Sequence, residues 1–225
     1  MTYNIKHSDF GNLLPLIREL NIDILALQEL NLDNPNLIKD LIAFGQELSM
    51  IPVFLPSYNS SIYGLAILSK YNYTSTSFVV FDRIRGTNPR GALQAIIDMP
   101  FGKLQVITTH LNTPNYYTTR TKQVNIILDE FQVREKTIVL GDFNTQNSVY
   151  DYTYHKLMST FQDAWMVAGN HPSTGKTFPA RFPMVRIDYI FLSADLGVLA
   201  DGAGLIRAPS ISDHLGLYAK MNGGF

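Results

Sequence analysis

The chain has 225 residues, 46% of them hydrophobic and 12% aromatic, with a formal net charge of -1 and no cysteine. That is ample material for a large core, and the missing cysteines exclude disulfides, thiolate zinc sites and cysteine nucleophiles. The near-neutral balance lacks the footprint of proteins that hold nucleic acid mainly by phosphate charge, although a local basic rim is compatible with it.

Taken in chain order, residues 1–5 read as a short strand. Phe10, Leu13, Leu14, Ile17 and Leu20 then recur at helical spacing, with Asn12 as the expected cap and Pro15 in the first turn, where a missing N–H costs nothing. Residues 23–28 read as a buried strand. Asn34-Pro35 has the form of a cap followed by a first helical residue, and Leu37, Ile38, Leu41, Ile42 and Leu48 form the stripe of a second helix. Strands are expected at 51–55, 64–69, 77–81, 92–98 and 104–109, and a helix at 119–132 with Val124, Ile127, Leu128 and Phe131 inward. A strand at 137–140 precedes a mixed region around Trp165, and the last strands are expected at 186–192 and 214–221.

No repeat, low-complexity tract or linker divides this pattern, so residues 1–225 are expected to form one domain. Residues 57–109 hold strands with no helical pattern between them, which argues against one doubly wound sheet. Two packed sheets with helices outside are the economical architecture. No apolar run of about 18 residues marks a membrane span. The start shows neither the basic nor the apolar region of a secretion signal. Cytoplasmic residence is the default expectation, while Met1 lies almost directly on the first strand, an abrupt start compatible with a removed leader. No protein partner is indicated.

Gly141-Asp142-Phe143-Asn144 follows the apolar run Thr137-Ile138-Val139-Leu140 and delivers a carboxylate and an amide at a strand end. Alone it could be a turn. Gln28-Glu29 closes another apolar run, His110 a third, Asp188 sits in a fourth and Ser212-Asp213-His214 opens a last one. Each has a plain structural alternative: Asn4 an edge amide, Glu29 an arginine partner, His110 a satisfied imidazole, Asp188 a salt bridge to Arg186, Asp213-His214 a turn. Independent accidents would not place this complement at six strand ends. Carboxylate, amide and imidazole together fit a hard divalent cation, magnesium or manganese, beside a phosphoester.

On these residues the chain resembles the endonuclease/exonuclease/phosphatase superfamily, the deoxyribonuclease I-like proteins. Thr2-Tyr3-Asn4-Ile5, Leu27-Gln28-Glu29, Thr109-His110-Leu111, Gly141-Asp142-Phe143-Asn144, Arg186-Ile187-Asp188-Tyr189-Ile190-Phe191 and Ser212-Asp213-His214 run in family order over nearly the whole chain. The resemblance implies an α+β fold, a four-layer α/β sandwich of two packed, mostly antiparallel sheets flanked by helices. It implies a hydrolase of phosphoester bonds that uses Mg2+ (or Mn2+). Glu29 would be the principal metal ligand, with Asn4 and Asp213 near the cation. Asp142 would polarise the attacking water and Asn144 hold a phosphate oxygen or the nucleophile. His214, oriented by Asp188, would bond the scissile phosphate, and His110 would face it from the other side. Arg90 matches a phosphate-binding position of small bacterial members, while Arg120 and Gln123 match a pattern with a structural role.

The substrate is less legible. Abasic-site endonucleases usually carry tyrosine where His110 stands. A membrane-facing apolar hairpin is not evident, Tyr116-Tyr117 being a small candidate. Lys6, His7, Arg83, Arg85, Arg90 and Arg181 could form a modest basic rim, and Leu65 departs from the asparagine common in small bacterial relatives. The expectation is a phosphodiesterase or phosphatase for a small or lipid-linked ester. The alternatives are a DNA or RNA nuclease on the same site and a catalytically silent binding module.

Overall fold

A computed structural model describes residues 1–55, 63–82, 88–113, 117–148 and 150–222. Arg83, Arg85 and Tyr116 lie outside the described residues. Strand β1 (Thr2–Asn4) leads through helix α1 (Phe10–Leu20) to β2 (Ile24–Asn31), and α2 (Leu37–Glu47) leads to β3 (Ile51–Leu55) and β4 (Tyr63–Ser69). Then come β5 (Tyr73–Val80), β6 (Gly91–Met99), β7 (Gly102–His110), α3 (Tyr117–Glu130) and β8 (Thr137–Asp142). The chain closes with α4 (Tyr152–Met158), β9 (Gln162–Asp163), α5 (Ala164–Val167), β10 (Asp188–Leu192), β11 (Val198–Ile206) and β12 (Gly216–Met221).

Among the described residues the strands form two six-stranded sheets, ordered β11-β12-β1-β2-β4-β3 and β5-β6-β7-β8-β10-β9. Each sheet holds one parallel pair at its centre, β1 with β2 and β7 with β8, and its other pairings are antiparallel. A parallel pair needs a crossover, and α1 and α3 supply them. The inner faces meet in one apolar layer, where Ala26, Ile67 and Leu217 of one sheet pack with Leu93, Val106 and Leu140 of the other. Leu13, Ile17, Leu41 and Phe44 cover the outer face of the first sheet; Val124, Ile127 and Leu157 cover that of the second. The result is the expected four-layer α+β sandwich. No helix among the described residues is long and apolar enough to cross a membrane.

Several local expectations are corrected. Asp9, not Asn12, caps α1, its Oδ1 accepting from Gly11 N at 2.6 Å, so Pro15 lies within the helix. Asn36 is the residue before α2 and makes no side-chain cap; Asn34 Oδ1 instead accepts from Asn36 N at 2.9 Å. Ile38 and Ile42 face solvent, and Leu37, Leu41, Phe44 and Leu48 carry the buried stripe. β5 starts four residues earlier than expected because its first half is polar, exposed and without alternation. β11 was not expected from the sequence: Asp201, Gly202 and Gly204 interrupt any alternation, and a register shift between Val198 and Ala203 breaks the period. The region around Trp165 holds two short helices, capped by Asp151 and Asp163, whose side chains accept from backbone N–H groups.

Candidate active site

The topology brings four strand ends to one place. Parallel strands finish together, so β1 and β2 deliver Asn4 beside Gln28, and β7 and β8 deliver His110 beside Asp142. β10 runs antiparallel to β8 and begins there, with Asp188 opposite Asp142. The bend before β12 supplies Asp213 and His214. Neighbouring residues on a regular strand point oppositely. Here Ser212 Oγ holds the bend, accepting from His214 N at 3.1 Å and donating to the Asn4 carbonyl at 2.6 Å.

Two backbone devices aim the side chains. A register shift between Gln28 and Leu30 puts Glu29 at φ 58°, a bulge that turns it out of the strand's alternation. Gln28 points inward, its Oε1 accepting from Thr2 and its Nε2 donating to Thr108 of the other sheet at 3.0 Å. Gly141 sits at φ 148°, where a Cβ would run into the Thr109 carbonyl oxygen, so only glycine lets β8 lie this close to β7.

Asn4 Nδ2 donates to both Glu29 Oε1 and Asp142 Oδ2, each at 3.0 Å, while its Oδ1 accepts from Lys6 N. The sequence placed Asn4 near the cation, and in this structure its amide is hydrogen-bonded between the carboxylates. It turns N–H groups, not an oxygen lone pair, toward the site and ties two carboxylates together. Asp142 Oδ1 accepts from Asn144 N at 3.0 Å, and Asn144 Nδ2 donates to the Leu111 carbonyl at 3.1 Å. His110 Nε2 is 3.2 Å from Asp142 Oδ2, and its Nδ1 is 2.7 Å from Arg90 Nη1. His214 Nδ1 is 2.8 Å from Asp188 Oδ2, with Nε2 3.7 Å from Asp142 Oδ2. Asp142, Asp188 and His214 each offer one ligand atom within 4.8 Å of the others.

Burial pulls the His214 imidazole down, but Asp188 and Asp142 outweigh it and hold its pKa up at about 10. Burial, with Arg90 and His214 nearby, keeps His110 well below its ordinary 6.5. Burial pushes the Asp142 carboxyl up to about 7, against the His214 charge and the Asn4 and Asn144 hydrogen bonds. Lys6 Nζ lies 2.6 Å from Asp213 Oδ2, and the Glu29 carboxylate also favours its charge. An ammonium drawn by these two carboxylates, with Glu29 Oε1 accepting from Asn4 Nδ2 and its side chain 17% exposed, marks a place that calls for a cation. Oxygen donors of this kind fit a hard divalent ion.

The raised Asp142 pKa has a measurable consequence in metal-free protein. From about 3.8 to about 7 the folded chain keeps a proton that the unfolded chain has lost, so stability falls as pH rises through that window. Wild type is expected to lose melting temperature relative to Asp142→Asn between these limits. A difference that stays flat or grows in favour of wild type would contradict the assignment.

Sequence reasoning missed the supports of the site. Arg186 does not pair with Asp188. It forms a buried two-point pair with Asp163 at 2.7 and 3.1 Å, and its guanidinium lies 4.7 Å from the Tyr189 ring centre. Thr177 Oγ1 accepts from Ile187 N and Asp188 N, and its carbonyl accepts from Leu215 N, joining the Asp188 and His214 segments. Tyr63 stacks with His7 at 5.2 Å under the Arg90 guanidinium. None of these carried a local signal. The Arg120 and Gln123 readings fit their contacts: Gln123 and Asn112 exchange two hydrogen bonds, and Arg120 binds the Thr113 carbonyl and Asp151. Leu65 is buried in the inner layer, so an apolar residue there packs.

Fold and site together define a two-sheet sandwich with buried carboxylates and imidazoles gathered at its strand ends. The sequence model of the Endonuclease/Exonuclease/phosphatase family matches residues 1–214. The chain belongs to that family, and is a divalent-metal-dependent hydrolase of phosphoester bonds. No curated protein matches the sequence. Among solved structures it is similar to an endonuclease/exonuclease/phosphatase family protein from Leptotrichia buccalis, at 21% identity over 98% of both chains with a TM-score of 0.79. It is similar to D. rerio TDP2 complexed with single strand DNA product, at 21% identity over 98% of this chain and 97% of that one, TM-score 0.75. It is also similar to the Bacteroides thetaiotaomicron mannosyl-6-phosphatase, at 14% identity over 98% of both, TM-score 0.76. At these identities the likenesses establish the fold.

Proposed function

We propose that this cleft hydrolyses a small or lipid-linked phosphoester, diester or monoester, with Glu29 and Asp213 holding Mg2+ (or Mn2+) and residues 1–225 acting as one domain. Cytoplasmic residence, read from the sequence, remains part of the proposal. When bound, the cation supplies charge neutralisation at the phosphoryl oxygens and the leaving group. The chain's own residues do the rest. Asp142 polarises the attacking water. Asn144, with Nδ2 committed to the Leu111 carbonyl, offers Oδ1 as an acceptor and so orients that water rather than a phosphate oxygen. His214, charged through Asp188, presents Nε2–H to the phosphoryl group. His110 approaches from the opposite side, and Arg90 adds a cation there.

The observation that carries the substrate preference is the rim beside Asp213. Ala180 N donates to the Asp213 carbonyl at 2.6 Å and anchors a turn on which Phe182 and Met184 are 80% and 70% exposed. Next to it a cavity of about 290 Å3 is lined by Lys6, Arg181 and Asp213. Cations beside exposed apolar side chains suit an anionic ester with an apolar substituent. The mannosyl-6-phosphatase likeness supports a small ester. The nuclease reading draws on the neighbour bound to single strand DNA and on the exposed Tyr150 and Tyr152, which could stack bases.

Nitrophenol release from bis(nitrophenyl) phosphate and from nitrophenyl phosphate tests the proposal. Release is expected to require magnesium or manganese, with a KM that changes little between low and moderate salt. Oligonucleotide cleavage whose affinity collapses with salt would replace it by the nuclease. No release under any metal would leave only a binding module.

A further inference from the structure

The structure assigns to Arg90 a second task, fixing which ring nitrogen of His110 carries the proton and hence which carboxylate that imidazole serves. This rests on the reading of His110 as a group facing the scissile phosphate. Arg90 Nη1 stands 2.7 Å from His110 Nδ1. A guanidinium has donors and no acceptor. Nδ1 must therefore present its lone pair, and the ring proton sits on Nε2, 3.2 Å from Asp142 Oδ2. The competing arrangement is also on hand: Glu29 Oε1 lies 3.9 Å from Nδ1. With the proton on Nδ1, His110 would turn its hydrogen bond toward Glu29 and set a bare Nε2 lone pair against the Asp142 oxygen. That exchange would take a donor from the carboxylate that aims the water and give one to the carboxylate that holds the cation.

Arg90 is built to hold this contact. Its guanidinium lies 5.2 Å from the Tyr63 ring centre and its carbonyl accepts from Phe81 N at 2.9 Å; burial lowers its pKa against the nearby Asp142 and Glu29 charges, but a guanidinium starts so high that it stays a cation. His7 stacks on Tyr63 at 5.2 Å and steadies the platform. Only one of five guanidinium N–H groups is spent on His110, so the role is additional to phosphate binding.

Long-range proton–nitrogen NMR of protein labelled with 15N-histidine tests this, the His110 signals being assigned among the five histidines by comparison with His110→Gln. Wild type is expected to show the proton on Nε2 and a bare Nδ1. In Arg90→Met the proton moves to Nδ1 in a substantial fraction of molecules, and kcat falls by roughly 10²–10⁴-fold, as for other imidazoles held in the wrong tautomer. If Arg90 only bound phosphate, the variant would raise KM and leave the His110 pattern as in wild type. Either that result or a wild-type His110 protonated on Nδ1 overturns the inference, and the wild-type spectrum decides even if the variant fails to fold. Near-normal turnover in His110→Gln, with the Arg90 effect on protonation intact, would instead sink the catalytic reading of His110 and leave the tautomer assignment standing.

Discussion

Turnover by a His214→Ala protein, measured with saturating magnesium on a nitrophenyl phosphoester, is expected to fall by roughly 10²–10³-fold or more, the loss seen when one aimed donor to a developing oxyanion is removed. The reason lies in the pairing. Asp188 Oδ2 sits 2.8 Å from Nδ1, is almost fully buried, and has its other oxygen without a partner among the described residues. Such a carboxylate holds the imidazole charged and fixes Nε2–H as the donor. Alanine removes that donor and leaves a buried carboxylate behind. His214→Gln, which can still donate one hydrogen bond, is expected to recover part of the rate. Circular dichroism of both variants separates misfolding from lost chemistry. Near-normal turnover by well-folded His214→Ala protein would end the assignment.

The second large effect is on stability. Arg186→Met is expected to lower the unfolding free energy by about 3–5 kcal/mol, the cost of breaking a buried ion pair from one side. Arg186 and Asp163 have side chains 1% and 0% exposed. Asp163 also accepts from Tyr154 Oη at 3.2 Å and from Trp165 N at 3.0 Å, so one carboxylate joins α4, α5 and the approach to β10. Removing the guanidinium strands that charge. Replacing both residues, as Arg186→Met with Asp163→Asn, should recover part of the loss, because the amide oxygen can keep the cap on Trp165 N and no stranded charge remains. Urea melts of wild type and the two variants measure it, and a loss under about 1 kcal/mol for the single change would show that the pair is not the tie described. The effect should reach activity too. Tyr189 Oη lies 2.8 Å from the Arg186 carbonyl and 3.3 Å from that of Thr145, so this cluster also steadies the loop after Asn144.

These two predictions divide between what was legible in the chain and what was not. His214 was visible because Ser212-Asp213-His214 opens an apolar run, and an imidazole beside a carboxylate at a strand start is a local pattern. Arg186 was visible only through the alternative weighed for Asp188, a salt bridge between the two, and its own partner could not be read. On a strand, residues two apart share a face, which made Asp188 the natural partner. The strand begins only at Asp188, and Arg186 precedes it in irregular chain that turns toward Asp163. Asn4 shows the same limit in a single side chain. Its type and place could be read, but which end of the amide faces the carboxylates depends on the Lys6 backbone N–H that holds its oxygen.

By itself the sequence determined the strand-rich sandwich and the set of polar residues at its strand ends. Both are written in near-neighbour order: apolar runs make strands, and a polar residue that closes such a run must emerge at an edge. Tertiary structure alone decided how those ends meet. Two parallel pairs, each finishing at one end of its sheet, put Asn4, Glu29, His110 and Asp142 together, and antiparallel partners start Asp188 and His214 at the same place. It also decided the partners of Arg186, Arg90 and Asn4, because hydrogen bonding and charge pairing act over a few ångströms in space, whatever the separation along the chain.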